Sequence, residues 1–398
     1  MSITLVQPTP SILPSFNKIL YRITSTNANQ TGFKYVVKVY NTSNELIATA
    51  YYDSPADPAQ EVEFDISKLV SSYYNFENGF YQTSTSSNNA GIIFGFYIKC
   101  YEYYMIDNVY VIVSNTEVVS TTKRALASAF PLLELKNWYS NYNNYNGNST
   151  SVYKPLTDWR SMKCRSTDTQ IMAFYNDSVT ETAIVNLELL VTYANGSTST
   201  FYITPSAAQI HTITYFAITP LTYGGTTDNI QIFINWTNTG ARRYFIGTLY
   251  VQSCGRYEPI RLAYLNKYGA YDFFNFDLVN KTLFDIERKG YQKEYSGDIY
   301  NANDVIVKNT NPIYYVKEMQ KYKLISDYLT DAQSILIRQL YASPLVYLNL
   351  ANDTDITNSW IPVKVVPNSY EIKQGQSDKL FNLELDVEFG IVNTRQSV

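Results

Sequence analysis

The feature that most limits what this chain can fold into is a recurring one. Short runs of aromatic and β-branched residues alternate between two faces and are cut every ten or so positions by turn residues. Phe33, Tyr35, Val37 and Val39 alternate with Lys34, Val36, Lys38 and Tyr40, and a period of two puts each set on its own face of a strand. Asn41-Thr42-Ser43-Asn44 reads as a turn, with 46–52 as the returning strand. Segments 62–66, 92–104 and 109–113 continue the pattern, with Asp107-Asn108 as a further turn. About seven short strands of this kind predict an antiparallel β-sandwich over 15–122.

The pattern predicts a second sandwich over 158–255. Segment 184–193 is a strand, Asn195-Gly196 a two-residue hairpin turn and 198–203 the returning strand. Segments 212–218, 229–236 and 244–251 supply further strands. Between the two domains, 123–157 reads as a linker whose Tyr/Asn-rich part, 137–150, lacks aliphatic residues and cannot form a core alone. It fits a surface loop, or a tyrosine-studded segment that orders against a partner, with Tyr142 and Tyr145 as contact residues. Residues 1–14, with Pro8, Pro10 and Pro14, read as an extended arm. They show neither the cationic start nor the apolar run of a secretory signal.

The last third, 256–398, reads as a β-rich assembly domain with one short helix. Thr330-Asp331-Ala332-Gln333 fits a capping box opening a helix over 331–341, with Ala332, Leu336 and Leu340 on one stripe beside Ile335, and Ser343-Pro344 ending it. The fold class is therefore all-β: two antiparallel sandwiches and a C-terminal β-rich domain.

Composition removes several kinds of chemistry. One histidine, His211, cannot supply a two-histidine metal site, and it sits in a strand-like run. Glycine-rich phosphate loops, nucleophile elbows and zinc-protease helices do not occur. Carboxylates such as Asp158, Asp168 and Glu258 are plentiful, but no spacing pairs them for glycoside hydrolysis. Asn352-Asp353-Thr354-Asp355 lacks the glycine and terminal glutamate of an EF-hand. No catalytic residue, cofactor or metal is expected. A net charge of −4 and the lack of a basic cluster argue against nucleic-acid binding, and no apolar run is long enough to span a membrane. Cys100, Cys164 and Cys254 read as buried thiols rather than a disulfide framework. The charged fraction, 17%, is low, and the 38 tyrosines and 36 asparagines supply a neutral polar-aromatic surface that repels neighbours weakly.

Two segments carry open readings. The aromatic hairpin Leu265, Tyr268, Gly269, Tyr271, Phe273, Phe274 and Phe276 fits either a buried hairpin or an aromatic contact surface between chains. The closing strand places Phe381, Leu383, Leu385, Val387, Phe389 and Ile391 on one face and Glu384, Asp386 and Glu388 on the other, over about eleven residues, twice the usual strand. It is either one solvated face of an ordinary sheet, or a sheet shared between subunits with its carboxylates lining a channel that DNA passes without sticking.

In their order along the chain, three features resemble structural proteins in the tails of phages infecting Bacteroidetes, the crAss-like phages among them. The first is the amino-terminal sandwich with Phe64-Asp65-Ile66-Ser67, and the second is the 265–276 hairpin. The third is the run 340–348, then Pro362-Val363-Lys364-Val365, then the long amphipathic strand. The resemblance implies a virion protein, made in the host cytoplasm. It would form a ring, collar or hub of six or twelve copies around the tail channel, bound to the portal and to other tail or fibre proteins. It carries over no catalytic residue. A module of another class is also open: a fibre or receptor-binding protein that stacks tyrosines on host polysaccharide.

Overall fold

The computed structural model describes residues 3–8, 10, 12–55, 57, 60–74, 76, 86–88, 91–135, 153–176, 185–204, 212–237, 241–252, 257, 259–292, 313–349, 360–366, 380–389 and 393–394. The fold is all-β. The chain divides into two compact units. One holds 1–161, 168–249 and 266–272, the other 162–167, 250–265 and 273–398.

The first unit begins with a sandwich. A three-stranded sheet, Ile3–Val6, Leu20–Ser25 and Val62–Asp65, faces a six-stranded sheet in which Lys34–Asn41 lies between Leu46–Asp53 and Ile93–Ile106. Tyr21, Ile23 and Phe64 from one sheet pack with Tyr35, Val37, Val39, Phe96, Ile98 and Cys100 from the other. Those are the inward sets of the period-two runs, which is why the alternation was legible. The 1–14 segment supplies two strands of this sandwich. Ile3–Val6 joins the small sheet, and Ile12–Pro14 lies parallel to Lys123–Leu126, a strand inside the stretch read as linker. Pro14 is tolerated because its strand is at the sheet edge, where a missing amide leaves no ladder bond unmade.

Turn chemistry sets the hairpins. Asp107 and Asn108 take φ of 50° and 63°, the two left-handed residues of a type I′ turn, and Ile106 pairs with Val109. Asn195-Gly196 departs from the two-residue turn expected. The Tyr193 amide donates to Ser197 O and the Gly196 amide to Tyr193 O, so three residues, Ala194 to Gly196, are looped out. Gly196, at φ 81°, takes the left-handed place of the bulge. The loop Asn41–Glu45 is closed by the same two hydrogen bonds, with Asn44 at φ 64° in the glycine's place.

The second sandwich pairs Val185–Tyr193 with Thr198–Ile203 and with Thr227–Thr237. Its other sheet runs Tyr153–Pro155, Gln170–Asn176, Ile213–Ile218 and Ser86–Asn88, so a segment from the first third of the sequence contributes a strand here. Ile171 to Tyr175 and Ile213 to Phe216 are buried at successive positions, as in a sheet covered on both faces. Cys100 and Cys164 are free and buried, and burial pushes the Cys100 thiol up to about 12. His211 and Cys254 lie outside the described residues.

In the second unit an antiparallel sheet runs Tyr271–Phe276, Ile260–Leu265, Val346–Asn349, Trp360–Val365, Glu384–Phe389, Ile313–Ile325 and Lys281–Gly290, with Asn393–Thr394 beside Ile313–Ile325. The helix Asp331–Ala342 opens with the expected capping box. Its buried stripe is Ser334, Ile337 and Leu340, while Ala332 and Ile335 are exposed. Of the expected stripe only Leu340 is buried, because the buried arc is narrow and passes through a serine. The closing strand is also shorter than read. Glu384–Phe389 is a strand of six residues, preceded by a separate short strand at Leu380–Phe381.

Candidate functional site

The tip of the aromatic hairpin forms one site in the first unit. Asn266 donates its amide to Ala270 O, and the Gly269 amide donates to Asn266 O. This is again a three-residue loop, with Gly269 at φ 81°. The Asn266 side chain is buried and uses both ends. Its Oδ1 accepts from the amides of Tyr268 and Ala270, at 2.9 and 3.1 Å. Its Nδ2 donates to Leu156 O at 2.7 Å and to Asp272 Oδ2 at 3.0 Å. All four hydrogen-bonding positions of this amide are filled.

Charged groups then fasten the tip. Lys267 Nζ stands 2.6 Å from Asp158 and 2.8 Å from Glu134. Burial pulls its pKa down, but the two carboxylates outweigh that and hold the ammonium above its usual range. The Tyr268 hydroxyl donates to Asp158 at 2.6 Å, and its ring meets Phe130 edge-on at 5.3 Å. Burial, with Asp158 next to it, raises the Tyr268 hydroxyl well above its ordinary value. Asp272 is the unusual member. Complete burial pushes its carboxyl up to about 7, against the opposing hydrogen bonds from Asn266 and Thr157. Lys267 joins two carboxylates from distant segments at hydrogen-bond distance, so the arrangement is that of a clasp. Neither Asp158 nor Glu134 was expected to meet the hairpin, because residues more than a hundred positions apart leave no pairing signal in one sequence.

The hairpin's apolar side chains turn inward. Leu265, Tyr271, Phe273 and Phe276 are buried, as is Gly269, while Tyr268 and Phe274 are half-buried. Of the two readings of this segment, the buried hairpin is the one that describes these side chains. They belong to the chain's own core and are not laid out on a surface. Tyr142 and Tyr145 lie outside the described residues.

The acidic strand is corrected in one respect. Glu384 and Asp386 are exposed and Glu388 half-buried, on the face opposite Leu385 and Val387. That face is not an acidic one. Lys323 stands across from Asp386 and Lys321 across from Glu388, and Lys364 flanks Glu388 on its other side. Lys323 Nζ is 2.6 Å from Glu384, and Lys321 Nζ is 2.5 Å from Glu388 and 2.6 Å from Asp285. Hydrogen bonds donated to these carboxylates hold both ammonium groups above their usual range. A ladder of alternating signs is worth little in stability per exposed pair, and it removes the repulsive field that a DNA-passing wall needs.

Two surfaces escaped the sequence reading. In the first unit Pro131 precedes a helical turn over 132–135, on which Leu132 and Leu133 are 82% and 88% exposed. In the second, every residue of Lys281–Gly290 is exposed, and among the described residues this strand is hydrogen-bonded on one side only. Leu283, Phe284 and Ile286 are 47%, 54% and 45% exposed. The run Lys281-Thr282-Leu283-Phe284-Asp285-Ile286-Glu287 carries apolar residues on both faces, so it lacks the clean alternation that marks a half-buried strand.

Among the described residues no group of His, Cys, Asp and Glu could hold a metal ion, and no helix is long and apolar enough to cross a membrane. No family model matches the chain, and no curated protein matches it either.

Proposed function

We propose that this chain is a structural component of a short phage tail: a ring, collar or hub protein whose copies surround the DNA channel and dock the portal and other tail or fibre proteins. One observation carries the reading. Among the described residues, each of the two units exposes a separate apolar surface, Leu132 and Leu133 on one and the Lys281–Gly290 edge on the other. A closed ring needs two different patches on every copy, because its contacts are head-to-tail. Exposed leucines and long unpaired strands are costly in a protein that stays alone. The phage assignment rests on the ordered resemblance of the 64–67, 265–276 and 340–365 segments.

The fibre reading has one observation in its favour. On the outer face of the first sandwich Tyr51, Tyr103 and Tyr110 form a row of rings with centroids 5.7 and 5.6 Å apart, and Tyr51 and Tyr110 are exposed. Mass photometry with cryo-electron microscopy of the purified protein tests both. Rings of six or twelve copies, weakened by Leu132→Asp with Leu133→Asp, are the expected result. A strictly monomeric species at the highest attainable concentration overturns the ring. Compact trimers with saturable binding on a glycan array turn the assignment to the fibre.

A further inference from the structure

The edge strand also specifies an occupant. Natural sheets blunt a free edge by keeping it short, kinking it with a bulge, or placing a proline in it. Lys281–Gly290 uses none of these three; it carries the other natural device, charge, in Lys281, Asp285, Glu287, Arg288 and Lys289, and those charges select among registers rather than forbid pairing. It runs ten residues, holds no proline, and keeps an unbroken register with Ile313–Ile325 until Lys289. Lys281 precedes the apolar run and Glu287 follows it, while Asp285 stands inside it, paired with Lys321 of the neighbouring strand.

We propose that this strand pairs antiparallel with the same strand of a second copy of the chain, about a two-fold axis through Phe284. In that register Lys281 of each copy stands across from Glu287 of the other. Phe284 meets itself, Thr282 meets Ile286, and Leu283 meets Asp285. No like charges meet across the seam. Moving the axis to Asp285 sets Lys281 against Lys289 and Asp285 against itself. Moving it to Ile286 sets Asp285 against Glu287. Cross-strand pairs contribute with the sign of their charges, so the sequence disfavours those two registers. Pairing through one shared edge is isologous, whereas ring closure is heterologous. The inference therefore adds a contact to the proposed assembly and does not replace the one that closes a ring.

The test is a charge exchange read by sedimentation velocity. Lys281→Glu and Glu287→Lys each turn two attractive pairs into repulsive ones. Each is expected to weaken this self-association by about tenfold, for a change on the order of 1.4 kcal/mol. The double exchange, which restores opposite charges, is expected to recover it. Thermal melting of each variant checks the fold, since Lys281 faces Lys323 and Glu287 faces Lys317 within the chain. A second readout uses the axis. Phe284→Cys is expected to give an oxidised dimer above the wild-type background, and Ile286→Cys, which would face Thr282, is not. If oligomers form and neither exchange alters them, the pairing is wrong and the ring reading stands. If the protein stays monomeric throughout, both fail.

Discussion

The side-chain Nδ2 of Asn266 donates to the main-chain oxygen of Leu156 at 2.7 Å, joining a hairpin loop to a segment 110 residues earlier. The same side chain caps its own loop, so one residue holds both the shape of the turn and its attachment. Asn266→Ala would leave Leu156 O and two loop amides to find new partners in a buried place. The expected loss is about 3 kcal/mol, from an unsatisfied-group cost of about 1–3 kcal/mol each, tempered by relaxation. Urea denaturation followed by circular dichroism measures it. Asn266→Asp keeps the oxygen that accepts from the two loop amides but sets a second carboxylate against Asp272, so its loss should be greater at pH 8 than at pH 5.

Gly196 and Gly269 form a matched pair. Both sit at φ 81° in three-residue hairpin loops. A Cβ on Gly196 would meet nothing within 4 Å, whereas one on Gly269 would be driven into the carbonyl oxygen of Ala127. Gly196→Ala therefore isolates the conformational cost of a left-handed alanine, about 1–2 kcal/mol. Gly269→Ala adds the collision with a backbone atom that cannot swing away. It should lower the melting temperature at least twice as far. Equal shifts for the two would show that the hairpin tip is not held against Ala127.

Asp272 gives the stability a sign with pH. Its carboxyl is pushed up to about 7 by burial, well above the ordinary value of 3.8. The folded state thus binds the proton more tightly than the unfolded chain. This contribution is fully present below about pH 4 and is lost as pH rises through 7. Asp158 reinforces the shift and Lys267 opposes it. Asp272→Asn should flatten the melting-temperature profile between pH 4 and 7 and leave the variant more stable than wild type above pH 8. An unchanged slope would assign the pH dependence to other groups.

What was legible in the sequence follows from the range of each signal. Period-two runs such as Tyr35-Val37-Val39 and left-handed turn residues such as Asp107-Asn108 act within a few positions, and both emerged as read. Long-range partners did not. The Lys267, Asp158 and Glu134 clasp, and the strand Ser86–Asn88 beside Ile213–Ile218, depend on chain topology that no local pattern encodes. The acidic strand kept two readings for the same reason. Alternation located Glu384, Asp386 and Glu388 on one face, but the lysines across from them belong to a strand some sixty residues away. The edge at Lys281–Gly290 was missed because a strand exposed on both faces has no period to find.

The helix Asp331–Ala342 offers a test of coupling between two residues that cap each other. The Gln333 amide donates to Thr330 Oγ1 at 3.4 Å, and the Thr330 amide donates to Gln333 Oε1 at 3.1 Å. Each side chain satisfies an amide that the first turn otherwise leaves without a partner. Thr330→Ala should cost about 1 kcal/mol, the usual value for an N-cap, and Gln333→Ala less, because glutamine and alanine both suit a helix. Each hydrogen bond holds the other's partner in place, so removing either side chain loosens the geometry that the remaining bond needs. The double variant should therefore lose less than the sum of the two single losses. A double-mutant cycle in urea, with unfolding followed by circular dichroism, reads the difference. Strict additivity would mean that the two hydrogen bonds form independently and that the box adds nothing beyond its parts.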